Sequence, residues 1–301
     1  MQAELIIAGC HELAEGPVWY ADALHWVDIR AGNLHRWNPV SGIREHRHLG
    51  APLGNAVPTT DGRWLAAHKN TLALHDWATG QSEDLCTPES PSAPNRFNDG
   101  KCDPCGRWCV GSMSATTVKA PTAALYSYQS TGLCHTLLTG LTISNGLGWS
   151  PDGRRFFHTD SWTRRIDVYA YDLATGTISD SRTLARISEK DGLPDGLTVD
   201  AEGHLWVALW GGGAVLRLDG HDGRELARVT LPVTQVTSCT FGGPALDELY
   251  ITTVTAGLSG PQLAAQRTAG GIFRAHPGVA GLPVTPAQID SLIPTPTDHK
   301  Q

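Results

Sequence analysis

A short turn followed by an aromatic strand recurs six times along the chain. Trp19-Tyr20-Ala21-Asp22-Ala23 leads into Leu24-His25-Trp26-Val27-Asp28, Thr60-Asp61-Gly62 into Arg63-Trp64-Leu65, and Asp103-Pro104-Cys105-Gly106 into Arg107-Trp108-Cys109. Ser150-Pro151-Asp152-Gly153 precedes Arg154-Arg155-Phe156-Phe157, Asp200-Ala201-Glu202-Gly203 precedes His204-Leu205-Trp206, and Gly243-Pro244-Ala245-Leu246-Asp247 precedes Glu248-Leu249-Tyr250. The copies are spaced by roughly 40–50 residues, the period of a propeller blade. A further short strand follows each turn, in most copies running into a Gly-containing turn, as in Leu34 to Gly42, Leu72 to Gly80 and Ile166 to Gly176. The fourth strands are weaker, for example 45–49 and 182–186. Four-stranded units of this kind cannot bury both faces alone, so they close radially. The prediction is an all-β, six-bladed propeller with four antiparallel strands per blade, forming one domain over 1–301.

Composition limits the function classes. The net charge is −7, which argues against nucleic acid or an anionic membrane as partner. The N-terminal stretch has no basic region before its short apolar run, and no stretch reaches membrane-spanning length. The seven Cys are scattered and odd in number, which reads as reduced thiols in a cytoplasmic protein. Cys102, Cys105 and Cys109 lie in a blade turn and the strand after it, and read as structural thiols rather than a zinc or redox site. His158 and His204 are expected in second strands as core or surface residues. Trp19, Trp26, Trp149 and Trp206 are expected to pack blade against blade.

In a propeller the innermost strands line a central channel, and residues just before them gather at one mouth. The turn glycine serves as a ruler. Eight residues before Gly203, Gly153 and Gly106 stand Asp195, Asn145 and Asn98; eight before Ala23, in the glycine slot of the first turn, stands Glu15. The second blade yields Gly54 with Asn55 beside it, and the sixth offers Thr237 and Ser238 in the same region. Asn or Asp before Gly also forms turns unaided, so local turn-making is the alternative explanation. Four oxygen donors in register describe a site for a hard divalent cation, with coordination places left for water or substrate.

Ala14-Glu15-Gly16-Pro17, Asn95-Arg96-Phe97-Asn98-Asp99-Gly100-Lys101, Ile143-Ser144-Asn145-Gly146-Leu147 and Leu193-Pro194-Asp195-Gly196 resemble the motifs of the SMP-30/gluconolactonase family, which includes regucalcin and sugar-acid lactonases. The resemblance extends to Ser238-Cys239-Thr240-Phe241-Gly242-Gly243 and Ala269-Gly270-Gly271-Ile272-Phe273. It implies one divalent metal ion, of the Ca, Zn, Mn, Mg or Fe type, held by Glu15, Asn145 and Asp195. It implies further that Arg96 and Asn98 bind a small sugar lactone; no obligate protein partner is evident in the sequence. Regucalcin-like members also carry a sugar-contacting glutamate in the third blade. The stretch 114–121 holds no acid here, and Lys119 is its only charged residue.

The chemistry of the residues agrees. Lactone hydrolysis builds negative charge on the carbonyl oxygen, which a divalent cation stabilises while activating water. Asp195 is then both ligand and general base, and Arg96 offers a planar fork of donors. No Gly-x-Ser-x-Gly elbow supports covalent serine chemistry. Two rival readings remain: a non-enzymatic, metal-binding regulatory propeller, and an esterase or lactonase acting on a non-sugar substrate.

Overall fold

A computed structural model describes residues 1–9 and 11–289. Its strands form six four-stranded antiparallel sheets. Five blades are contiguous in sequence, and each runs outward from its inner strand: Ala14–Tyr20, Asn55–Pro58, Asn95–Cys102, Ser144–Trp149 and Leu193–Val199. The sixth starts at Val236–Gly242 and is completed by Glu4–Ile7, which pairs antiparallel with Ile272–Ala275. The ring is therefore closed by an N-terminal strand. The tail beyond Ile293, another candidate for that role, lies outside the described residues.

Burial falls off from the centre outward. The second strand Ala23–Asp28 is buried throughout, whereas the fourth strand Arg44–His48 is exposed throughout. This gradient explains why the fourth strands were faint in the sequence: with at most one buried residue each, they carry no apolar alternation.

Aromatic side chains fill the seams between blades. Trp26 and Tyr250 share one apolar cluster, with Trp19 stacked on Tyr250 at 5.4 Å between ring centroids. Trp149 packs with residues of blade 3, and Trp206 meets Phe241 of blade 6 edge-on. His158 is buried in a second strand and hydrogen-bonded to Ser144 Oγ at 2.8 Å. His204 lies one residue before its strand rather than in it.

The described cysteines are all free. Burial pushes the Cys102 and Cys109 thiols well up, which leaves them protonated and unreactive. Among the described residues the single α-helix is Gly260–Ala265. No described helix is long and apolar enough to cross a membrane.

One end of the channel is shut. Residues 280–288 cross it, bonding to Ala201, Leu246, Pro58 and Gly106 of four blades. Beneath this strap lies a small chamber of about 120 Å³, lined by Asn55, Asp99, Lys101, Ser238 and Cys239 among others. The opposite mouth carries the larger cavity.

Candidate functional site

That cavity, of about 330 Å³, is lined by Glu15, Arg96, Asn98, Asn145 and Asp195 together. Four inner strands deliver these five residues, but not by the local geometry the sequence suggested. The side chains do not precede their strands. Glu15, Asn98, Asn145 and Asp195 all lie inside them. In each case the strand pairing slips at that point: between Glu15 and Val18, Phe97 and Gly100, Asn145 and Leu147, and Pro194 and Leu197. A bulge adds an unpaired residue and re-aims a side chain, and here one accompanies each of these four residues.

The glycines after these residues are likewise not turn formers. Gly146 and Gly196 have no left-handed φ. A Cβ on Gly146 would stand 2.6 Å from Asp195 O, and one on Gly196 would stand 2.1 Å from Ser238 Oγ. Adjacent inner strands approach so closely at the neck of the channel that only glycine fits. Gly16 alone of the set combines a close neighbour with a positive φ, of 51°.

Polar contacts knit the blades around the cavity. The Asn145 amide donates to Asp195 Oδ1 and, at 3.2 Å, to Ser161 Oγ. Glu15 Oε2 accepts from Gly16 N at 2.8 Å. Asn98 is held at both ends: its Nδ2 donates to Ser144 O at 2.9 Å, and its Oδ1 accepts from Arg96 Nη1 at 3.0 Å. Arg96 Nη1 also donates to Phe97 O at 2.8 Å. Asn98 thus orients the guanidinium as well as lining the cavity.

Burial pushes the Glu15 carboxyl well above its ordinary range, and the charges of Asp195 and Asp99 add to the shift. Asp195 is likewise raised, by burial first and then by Asp99, against the opposing bond from Asn145. Arg96 is lowered to about 10 by burial, with Arg30 adding to the shift, and remains a cation at neutral pH. The cavity therefore concentrates two carboxylates where water cannot solvate them. Among the described residues no three His, Cys, Asp or Glu side chains form a metal cluster. The donor set is two carboxylates and an amide, all oxygen, which suits a hard cation with open coordination places.

Several neighbours had escaped the sequence. Asp99 lies one residue past Asn98 and faces the inner chamber, where its Oδ1 accepts from Gly100 N at 2.8 Å. Lys101 reaches from blade 3 to Leu197 O of blade 5 at 2.8 Å. Trp162, 53% exposed, stands at the cavity wall with Met113, Trp210 and Arg30. Asn55 does not join the five. Its strand has no bulge, and its amide faces the chamber, bonded to Asp99 and Trp108. Thr237 is spent on Ala14 O at 2.7 Å, while Ser238 lines the chamber.

Residues 13–255 match the model of the family described as the SMP-30/Gluconolactonase/LRE-like region. Regucalcin of Bos taurus is 37% identical over 284 residues, covering 92% of this chain and 95% of its own. A luciferin-regenerating enzyme superposes with a TM-score of 0.88 at 28% identity, over 95% of this chain and all of its own (100%). A calcium-binding protein, regucalcin, from Agrobacterium tumefaciens gives 0.87 at 28% identity, over 94% and 97%. With the blade count, the bulged inner strands and the match over most of its length, the chain belongs to the SMP-30/gluconolactonase family.

Proposed function

We propose that the protein is a divalent-metal-dependent lactonase that opens a sugar lactone to the aldonic acid. The observation that supports this reading is the cavity itself: two buried carboxylates with raised pKa, an amide in contact with one of them, and a guanidinium free of any carboxylate partner within ion-pair distance among the described residues. Glu15, Asn145 and Asp195 hold the cation on this reading, and the crowding of negative charge between Glu15, Asp195 and Asp99 is what a dication would neutralise. When bound, the cation supplies Lewis acidity toward the ester carbonyl and toward water.

The chain's own residues do the rest. Asp195 accepts a proton at a carboxylate oxygen from the attacking water. Asn98 fixes the Arg96 fork, whose hydrogen bonds run through Nη1 and leave the remaining donors for the lactone oxygens. Trp162 offers a ring face at the wall to the apolar side of a sugar. The strap across the far end of the channel means that substrate enters and product leaves by this mouth.

The test is a panel of aldonolactones given to purified protein stripped of metal and then reloaded with each divalent cation in turn, with acid release as the readout. Cation-dependent hydrolysis of at least one lactone is expected. No such rate on any of them would remove the lactonase reading and favour a metal-binding propeller without catalysis. Activity on aryl esters alone would favour a non-sugar substrate.

A further inference from the structure

With a dication on Glu15 and Asp195, as proposed above, the positive charge in and beside the cavity exceeds what its acids balance. Blade 3 supplies two positive charges. Arg96 sits opposite Met113 in the strand register, and both line the cavity. The next residue, Ser114, ends the strand, and the loop 115–122 folds back on it: Ala115 N donates to Pro94 O at 2.8 Å, and Lys119 Nζ donates to Ser114 O at 2.6 Å. Val118 is 82% exposed, yet the Lys119 beside it is tucked in to half-burial. Its Nζ is anchored at Ser114 O, next in the strand to the Met113 that pairs with Arg96, and its pKa is lowered by that burial and by the charge of Arg96. Arg30 adds a third from blade 1, although it is paired with the exposed Glu12.

Neither Arg96 nor Lys119 makes an ion pair within 4.0 Å among the described residues, whose salt bridges lie elsewhere. The cavity carboxylates, Glu15 and Asp195, are committed to the metal on the reading above, and two carboxylates with one dication sum to zero. Two cations, Arg96 and Lys119, then stand partly desolvated and uncompensated, an arrangement that costs free energy until an anion meets it.

We propose that the site selects a lactone bearing an anionic group, a carboxylate or a phosphate, on the part of the molecule away from the ester, and that Lys119 beside Arg96 reads that group. This rests on the lactonase reading and names its substrate class. Arg96 supplies a fork that matches either anion, and Lys119 supplies a point charge with two unspent donors. A neutral aldonolactone would leave both uncompensated.

The experiment compares kcat/KM on three matched substrates: a neutral aldonolactone, a monolactone of the corresponding dicarboxylic sugar acid, and a phosphorylated aldonolactone. It is run on the metal-loaded protein and on Lys119→Met and Lys119→Glu, at low and high salt. The parent protein is expected to prefer an anionic lactone by about tenfold or more, with the preference carried in KM and weakened by salt. Lys119→Met should cut that preference by about tenfold, and Lys119→Glu should reverse it. The carboxylate and phosphate arms identify which anion is read. Equal kcat/KM on neutral and anionic lactones, or a preference untouched by both substitutions, overturns the proposal while lactone hydrolysis stands. If no lactone is hydrolysed, the parent reading fails, and calorimetric titration with the open dicarboxylic and monocarboxylic acids decides charge selection separately. Equal affinities overturn it; tighter dicarboxylate binding that Lys119→Met abolishes sustains it.

Discussion

Gly196 offers the sharpest test of why the cavity motifs contain glycine. Replacing it with Ala puts a Cβ 2.1 Å from Ser238 Oγ, 2.5 Å from Ser238 Cβ and 2.9 Å from Ser238 Cα. All three distances are below any real contact, so the inner strands of blades 5 and 6 must separate. Overpacking of this kind costs about 1–3 kcal/mol, and the upper half of that range is expected because the clash reaches backbone. The residue displaced is the neighbour of Asp195, and if Asp195 acts as proposed, a shift of about 1 Å in its carboxylate costs on the order of a hundredfold in rate.

A second substitution separates this account from a general loss of stability. Ser238→Gly removes the two worst of these three contacts and leaves the one at 2.9 Å. The double variant should therefore recover part of both losses, with a coupling of about 1 kcal/mol or more in a double-mutant cycle followed by urea unfolding. Gly146→Ala serves as the contrast. Its Cβ meets Asp195 O at 2.6 Å and Leu197 N at 2.9 Å, both backbone atoms, so no side-chain truncation can rescue it. If Gly196→Ala unfolds within about 0.5 kcal/mol of the parent and keeps its turnover, the close-approach argument is wrong. Absence of coupling to Ser238→Gly would refute it equally.

Asp195→Ala should abolish metal binding and activity while leaving the metal-free protein at least as stable as the parent, because it removes a buried carboxylate that Glu15 and Asp99 crowd; thermal unfolding with and without cation checks this, and a large loss in the metal-free state would contradict it. Arg96→Ala should hold or tighten metal affinity, since a neighbouring cation is removed, and lower kcat/KM by more than about tenfold. Calorimetric metal titration beside kinetics decides, and affinity falling in step with activity would mean that Arg96 supports the ligands instead. Acid should destabilise the fold through buried histidines: His25, His35 and His158 are lowered to about 3 and His75 to about 4, with burial the main cause in each. These rings stay neutral when folded but take up protons when unfolded below 6.5, so stability is complete above that value and declines as pH falls toward the folded values, by up to ~1.4 kcal/mol per pH unit for each ring. Urea unfolding from pH 7.5 to 5 reads the slope, and a flat profile would contradict it.

The cavity was legible in the sequence because one strand length repeats. In four blades a bulged inner strand separates the turn glycine from the polar residue by the same count, so the glycine ruler brought Glu15, Asn98, Asn145 and Asp195 together without knowledge of the bulges. The ruler failed where the geometry changes. The strand Asn55–Pro58 pairs without a slip, so Asn55 looks into the chamber and not into the cavity. Bulges leave no compositional mark, which is why Asp195 read as preceding a strand it lies within. Lys119 was visible as a departure from the family pattern, but its place beside Arg96 depends on a loop bonded to its own start, which spacing cannot supply. Glu4–Ile7 gave no hint of its partner, since a four-residue edge strand carries little periodicity.

The pairing of Glu4 with Arg274 spans 270 residues of chain, and an Arg274 Nε to Glu4 Oε1 bond of 2.9 Å reinforces it. Every other blade is assembled from neighbouring sequence. Closure of the sixth is thus the one step whose loop entropy grows with the whole length of the chain. During synthesis the first strand emerges long before its partner exists, and it stays an unpaired edge until residues 272–275 arrive. The ring therefore completes last at this seam. Tension applied at the N-terminus would first break the bonds of Met1 and Ala3 to Thr230 and then strip Glu4–Ile7 from the sixth blade, while the other five retain all of their strands.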